Sequence, residues 1–259
     1  MLIAQKSSFW KMFRVTILLL ILLIVAVNAW RDYHQNWQTP IFVALYPVNA
    51  DQSTVTADYI ASLNEQDFAV IAHYLQQQAQ QYHQPIHVYF KLGSEIKTLP
   101  PKVPDSQSIL EIMWWSLRFR YYAWRQQQDI GIRPQLRLFL NYYDMRTHQV
   151  LKHSTALQNG RIGVVNLFAH HKQDSQNQIV IAHEMLHAFG ATDKYDLSTG
   201  QPVYPQGLGD PDQQPLYPQK TAELMAGHIA LSATKSKMAN SLKDVRINAE
   251  TAREIGWLK

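Results

Sequence analysis

Apolar positions along the chain change period several times, and each change marks an element. Val15 to Val27 is uncharged and almost wholly apolar, unlike anything after it. Ile41 to Tyr46 is a short apolar run closed by Pro47, which predicts a strand. After Asn64-Glu65-Gln66-Asp67, the residues Phe68, Ile71, Ala72 and Leu75 recur at helical spacing, and a Gln-rich tract to about Gln84 supplies the solvated face. Pro85 ends that helix. Ile86 to Phe90 follows as a second strand and leads into the Pro-rich loop TLPPKVPDS. Asp105 or Ser106 is placed to cap a long helix running through Ile109, Ile112, Met113, Leu117 and Tyr121 to about Gln128. Gln135 to Tyr143 alternates as a third strand and Arg161 to Ala169 as a fourth, with a loop or hairpin containing His148 and His153 between them. Asp174 or Ser175 opens the next helix, with Ile179, Val180, Ala182 and Leu186 as its apolar surface. The order strand, helix, strand, helix, strand, strand, helix predicts the α+β class, a small mixed sheet with helices packed on it.

The first segment sets the domain organisation: residues 1–35 as a cytoplasmic stub with a membrane anchor or signal segment, and 36–259 as the folded domain. Lys6, Lys11 and Arg14 precede the apolar run, a flank that keeps the N-terminus in the cytoplasm and sends the rest of the chain across. The run from Val15 to Val27 has the length of a signal-peptide core, with Val27-Asn28-Ala29 as a cleavage site. Met12 to Trp30 is long enough to span if Arg14 snorkels, with Trp10 and Trp30 at the interfaces. The expectation is a single-pass membrane protein held through residues 12–30, its folded domain extracytoplasmic; the alternative is export after cleavage near Ala29.

Charge narrows the partners. Lys and Arg number 24 against 20 Asp and Glu, a net charge of +4 spread along the chain, which is too mild to argue for a nucleic-acid partner, and none is expected. The aromatic and arginine-rich stretch WWSLRFRYYAWR accordingly reads as a core helix with snorkelling arginines. There is no cysteine, which excludes disulfides, thiolate metal ligands, a cysteine nucleophile and latency through a blocking cysteine. Any metal site must use His and carboxylates.

Residues 183–196, HEMLHAFGATDKYD, concentrate such groups. His183 and His187 are four apart, so on a helix they project from one face, where two imidazoles reach a single ion. Glu184 follows the first His directly, beside the metal instead of on it, as the base for an attacking water. Gly190 can take a positive φ, end the helix and turn the chain back, so that Asp193 becomes the third ligand. A hydrolytic zinc site needs three protein ligands and an open position.

HEMLHAFGATD resembles the HExxHxxGxxH/D pattern of the metzincin zinc metallopeptidases, in the variant ending in Asp found in snapalysin-like enzymes. The resemblance implies a zincin or metzincin-like α+β domain with one catalytic Zn2+ and a protein or peptide substrate. It also implies a Met-turn, for which AELMAG supplies Met225. By the same analogy Arg161 to Ala169 is the edge strand that pairs with an extended substrate, which makes Ile162, Val164 and Asn166 the substrate-strand candidates. Leu197 to Lys220 would wall the cleft, and Ile247 to Trp257 would be the C-terminal helix, capped by Asn248. Asp210 and Asp212 are a calcium candidate, but a solvated turn accounts for them.

The chain departs from the pattern in places. Asp193 is a harder donor than the His many relatives carry. Asp196, Glu223 and His228 are near enough in sequence to compete with it, and Gly227 stands where some relatives have Tyr. Tyr195 either assists the reaction or packs on the cleft wall, and His34 is positioned in sequence to occlude the metal. The expected function is a zinc-dependent endopeptidase with Glu184 as general base. The alternatives are a catalytically silent zinc-binding interaction module of the same fold, and hydrolysis of a non-peptide bond.

Overall fold

The computed structural model describes residues 4–104 and 108–258. Its centre is a five-stranded sheet built on β1 (Ile41–Asn49). Beside β1 lie β2 (Val88–Leu92) on one side and β3 (Leu136–Tyr143) on the other, followed by β5 (Ile162–Phe168) and β4 (Thr155–Leu157), giving the order β2-β1-β3-β5-β4. All pairs are parallel except β4 with β5. This is the small mixed sheet of an α+β protein.

β1 does not stop at Pro47 but continues to Asn49, still in register with β3. The carbonyls of Leu45 and Pro47 accept from Gly93 and Ile96, so this set of β1 backbone groups points toward β2. β2 has already ended at Leu92 where an N–H of residue 47 would have donated, so proline costs the ladder nothing there.

The helices are α1 (Ala4–Tyr33), α2 (Thr54–Ser62), α3 (Ala69–Gln80), α4 (Ile109–Arg125), α5 (Asp174–His187) and α6 (Ala249–Glu254). A 3-10 turn over Glu65–Phe68 precedes α3, held by a reciprocal capping box between Asn64 and Asp67. The expected caps Asp105 and Ser106 lie outside the described residues; Ser108 occupies the position before α4. Small pairs β6 (Ala222–Glu223) with β9 (Val245–Arg246), and β7 (His228–Ala230) with β8 (Ser236–Met238), organise the C-terminal part.

Connection handedness decides which face each helix covers. The step from β1 to β2 through α3 and the step from β2 to β3 through α4 run in opposite directions across the sheet. Right-handed crossovers therefore place α3 and α4 on opposite faces. Side chains agree. Val43, Leu45, Leu138 and Leu140 share a core with Ile71 and Leu75 of α3 and Ile179 and Ala182 of α5. Tyr46, Val48 and Phe139 share the other core with Trp115, Phe119 and Tyr122 of α4.

Two expectations need correction here. In α4 the residues read as its core surface, Ile109, Ile112, Met113, Leu117 and Tyr121, are exposed, and the buried set is Trp115, Phe119, Tyr122 and Ala123. The helix carries an apolar stripe on each of two opposite faces, separated by Arg118 and Arg125 on one side and Arg120 on the other, so its period does not say which stripe the sheet takes. Strand β5, expected at the edge, lies between β3 and β4. Ile162 pairs with Leu157 and Val164 with Thr155, so three-residue β4 forms the rim.

In α1 the segment Phe9–Tyr33 is long and apolar enough to cross a membrane, with a mean hydropathy of 2.5 over its best window. By length and composition it suits a signal anchor or a signal peptide; Val27-Asn28-Ala29 lies within the helix. Its end is pinned to the domain. The backbone N–H of Gly160 donates to Asp32 (2.7 Å), and the Arg161 guanidinium donates to the Asp32 carbonyl (2.9 Å) and to Gln35 Oε1. Trp37 then buries against Phe189 and Trp257 and donates its indole N–H to the Ile255 carbonyl at 2.7 Å.

Candidate metal centre

Helix α5 is anchored by Ile179, Ile181, Ala182, Met185 and Leu186, all buried. That leaves His183 and His187, one turn apart, facing together across the helix surface. Its end is a Schellman motif: Ala191 N–H donates to the Leu186 carbonyl and Gly190 N–H to the His187 carbonyl, both at 3.0 Å, with Gly190 at φ +104°. A Cβ at Gly190 would stand 2.7 Å from Gln158 Nε2, so both φ and space favour glycine.

The turn brings Asp193 back over the helix. Its Oδ1 lies 3.2 Å from His183 Nε2 and 3.0 Å from His187 Nε2, and the two Nε2 atoms are 2.9 Å apart. The far side of each ring is committed: His183 Nδ1 faces the Leu224 carbonyl at 3.1 Å and His187 Nδ1 the Ala191 carbonyl at 2.8 Å. A carbonyl only accepts, so both Nδ1 atoms carry the proton when the rings are neutral, and both Nε2 lone pairs point at one place.

Three electron-rich atoms thus crowd a single point. The separations approach the roughly 3.3 Å edge of a tetrahedron with donor bonds of 2.0–2.1 Å. Two lone pairs and a carboxylate oxygen repel at this spacing unless a cation or proton sits among them. Burial opposes ionisation of Asp193, but contacts with His183 and His187 outweigh it and hold the carboxyl well below the usual range. Burial would depress His183, yet contact with Asp193 and the nearby Glu184 raise it.

Glu184 is only 4% exposed, and its Oε2 has no hydrogen-bond partner among the described residues. Burial raises its pKa against the pull of the two histidines. His183, Glu184 and His187 each offer an atom within 4.8 Å of the others and can together hold a metal ion. Asp193, in contact with both Nε2 atoms, is the better third donor by distance.

The residues expected to compete are engaged elsewhere. Glu223 is fully buried and accepts from Thr251 Oγ1 (2.8 Å) and from the Met225 backbone; burial pushes its pKa up to about 7. Asp196 caps its own turn through Ser198 and Thr199. His228 Nδ1 faces the Ala226 carbonyl at 3.2 Å. Asp210 accepts from the Asp212 N–H at 3.3 Å, the solvated-turn reading of that pair. His34 folds back on the end of α1, its Nδ1 2.8 Å from the Trp30 carbonyl, and does not occlude the centre.

The turn containing Met225 adjoins the site. Ala226 and Gly227 N–H groups both donate to the Glu223 carbonyl, Gly227 takes φ +66°, and Met225 is fully buried. Leu224 of this turn supplies the carbonyl that orients His183. The Met225 carbonyl accepts from Lys194 N–H at 3.0 Å, which fixes the chain just after Asp193. Tyr195 stands on the cleft wall, its ring 6.5 Å from that of His183. Burial and the charges of Asp193 and Glu184 push its phenol up to about 12, so it is a neutral donor. Asn248 precedes α6 as expected, but its side chain donates to the Leu208 carbonyl (2.5 Å) instead of capping the helix.

Beside the histidines opens a cavity of about 460 Å3, with Leu151, Phe168, Ile179, Val180 and Met238 as apolar walls and His183 and Glu184 at its end. The substrate-strand candidates do not line a free edge. Ile162 and Val164 pair with β4 along the ladder and bury their side chains in the core on the α4 face, and Asn166 holds the preceding loop through the carbonyls of Lys152 and His153, both at 3.1 Å.

One element of the site was not anticipated. Glu254 of α6 accepts from Thr192 N–H (2.9 Å), Thr192 Oγ1 (2.6 Å) and Lys194 Nζ (2.5 Å), bracketing Asp193 on both sides. Nothing local in sequence announces this contact.

No protein-family model matches the chain, and no curated protein matches it. A solved structure of a chaperone-substrate complex is similar over 84% of this chain, at 11% identity and a TM-score of 0.41. The aligned part is 34% of that structure's chain, so this chain spans about a third of its length. A likeness at this level supports no inference about activity.

Proposed function

We propose that the protein is a zinc-dependent endopeptidase of metzincin type, tethered by α1 with its catalytic domain on the extracytoplasmic side. The observation that carries this reading is the convergence of His183 Nε2, His187 Nε2 and Asp193 Oδ1 within 3.2 Å of one another, both rings oriented by backbone carbonyls. Such a donor set, without sulfur and with one carboxylate, suits zinc.

Bound there, zinc would act as a Lewis acid on a scissile carbonyl and make water acidic enough to attack near neutral pH. The remaining work belongs to the chain. Glu184 has an unpartnered oxygen and a pKa raised by burial, so it can take the attacking water's proton and return it to the leaving amine. Tyr195 offers a neutral hydroxyl from the wall. The outer edge of β4 offers main-chain groups to an extended peptide, and the apolar cavity receives one of its side chains.

The test is elemental analysis of the full chain, wild type and His187→Ala, with digestion of an unbiased peptide library with and without chelator. Near-stoichiometric zinc lost in the variant, together with chelator-sensitive cleavage, is the expected result. Zinc without cleavage of any peptide would overturn the peptidase reading, and absence of zinc would overturn the metal site itself.

A further inference from the structure

Helix α4 buries one apolar stripe and exposes another. At 100° per residue, Leu110, Met113, Met113's neighbour Trp114, Leu117, Tyr121 and Trp124 fall within an arc of about 100°, opposite the stripe that packs on the sheet. All six are exposed; Met113 is 57%, Leu117 58% and Tyr121 63% exposed. Arg118 and Arg125 border this arc on one side and Arg120 on the other. Leucine and methionine between tryptophan and tyrosine, flanked by arginine, is the chemistry of a helix lying in a bilayer interface.

The position of the stripe points to the same occupant. Arg120 donates to the Asn159 carbonyl at 2.5 Å, and the next residue, Gly160, donates to Asp32 at the end of α1. The middle of α4 and the end of the apolar helix therefore meet at one turn of the chain. A helix of 25 residues is about 37 Å long, enough to cross a hydrocarbon core of about 30 Å and bring Asp32 out at the headgroups.

We propose that the exposed face of α4 lies in the headgroup layer of the bilayer that α1 crosses, with Arg118 and Arg125 on anionic lipid phosphates. The inference rests on reading α1 as a retained membrane helix. It assigns the domain a second membrane contact and a fixed orientation: α5 and the metal centre occupy the other face of the sheet.

The absence of cysteine makes a direct test available. Single Met113→Cys, Leu117→Cys and Tyr121→Cys variants of the full chain are labelled with bimane and placed in vesicles of phosphatidylethanolamine and phosphatidylglycerol. Leu20→Cys reports on α1, and Val150→Cys, at an 87% exposed site, is the aqueous control. All three α4 side chains are exposed, so replacing them leaves the core intact. Doxyl-labelled lipid should quench the α4 probes and Leu20 several-fold more than Val150, while aqueous iodide should do the reverse. Quenching of Leu20 with α4 probes as iodide-accessible as Val150 would overturn the docking and leave the anchor standing. Protection of α4 from iodide without quenching by lipid would mean that protein, such as a second copy, covers the face, and would also overturn it. A Leu20 probe outside lipid would overturn the anchor and the docking with it.

Discussion

Glu254 and Lys194, sixty positions apart, form an ion pair with Oε1 2.5 Å from Nζ, and the same carboxylate holds Thr192. Asp193 sits between the two clamped residues. The C-terminal helix thereby sets the position of a donor that α5 cannot reach on its own. Groups that orient metal donors typically contribute 10–100-fold to affinity. Glu254→Ala is expected to lower zinc affinity by about that factor while the fold persists, measured by competition with a chromophoric chelator. Unchanged affinity would show that the loop holds Asp193 unaided.

The clamp also has a pH signature. Burial works against the Glu254 charge, but Lys194 and Thr192 outweigh it, so its folded pKa is depressed. A depressed acid contributes stability that is fully present above the unfolded value of about 4.3 and is lost as pH falls through the folded one. Urea unfolding at a series of pH values should therefore show wild type more stable than Glu254→Gln near neutrality, with the gap closing in acid. A gap that stays constant through acid pH would remove the ion pair from the explanation.

Glu184→Gln keeps the shape of the side chain and removes its basicity. Zinc content should stay at the wild-type level while kcat falls by about 10²–10⁴-fold. Chelation of wild type should abolish cleavage, and added zinc should restore it. Retention of full turnover by the Gln variant would assign the proton transfer to another group.

At Gly190, φ of +104° and the nearness of Gln158 leave no room for a side chain without adjustment. Gly190→Ala should destabilise the domain by about 1–3 kcal/mol and weaken zinc binding in parallel, since the turn that returns Asp193 starts there. Thermal unfolding with and without zinc separates the two effects. A variant with wild-type stability would show that the turn relaxes freely.

The geometry of the candidate centre was largely legible because helix geometry alone brings His183 and His187 together, and one glycine suffices to turn Asp193 back. The strands β1, β2, β3 and β5 were legible to within about two or three residues, for the same local reason. What escaped depends on contacts distant in sequence. An alternating strand reads alike at an edge and inside a sheet, so nothing in the pattern of β5 opposed the rim position that the resemblance implied; its cover, Thr155-Ala156-Leu157, is too short to show a period. Helix α4 carries two apolar stripes, and only the handedness of its connection selects Trp115, Phe119 and Tyr122 for the core. Helix α2 is nine residues long and buries only Thr56, Tyr59 and Ile60, too few positions to stand out as a period, and its start rests on one Ser53 cap.

Between Tyr33 and β1 the chain has no room to behave as a rope. Asp32 and Gln35 are held by Gly160 and Arg161, and two residues later Trp37 is wedged between Phe189 and Trp257. A Gly- and Ser-rich stalk would let a catalytic domain sweep a hemisphere above its anchor. This joint is a bracket. With α1 retained as an anchor, the domain would be held at one height and one tilt, and since Phe189 follows His187 by two residues, the same wedge would tie that height to the helix bearing the histidines. If the chain is the tethered peptidase proposed above, peptides out of reach of that fixed height would be spared whatever their sequence, so selection by altitude would precede selection by the cleft.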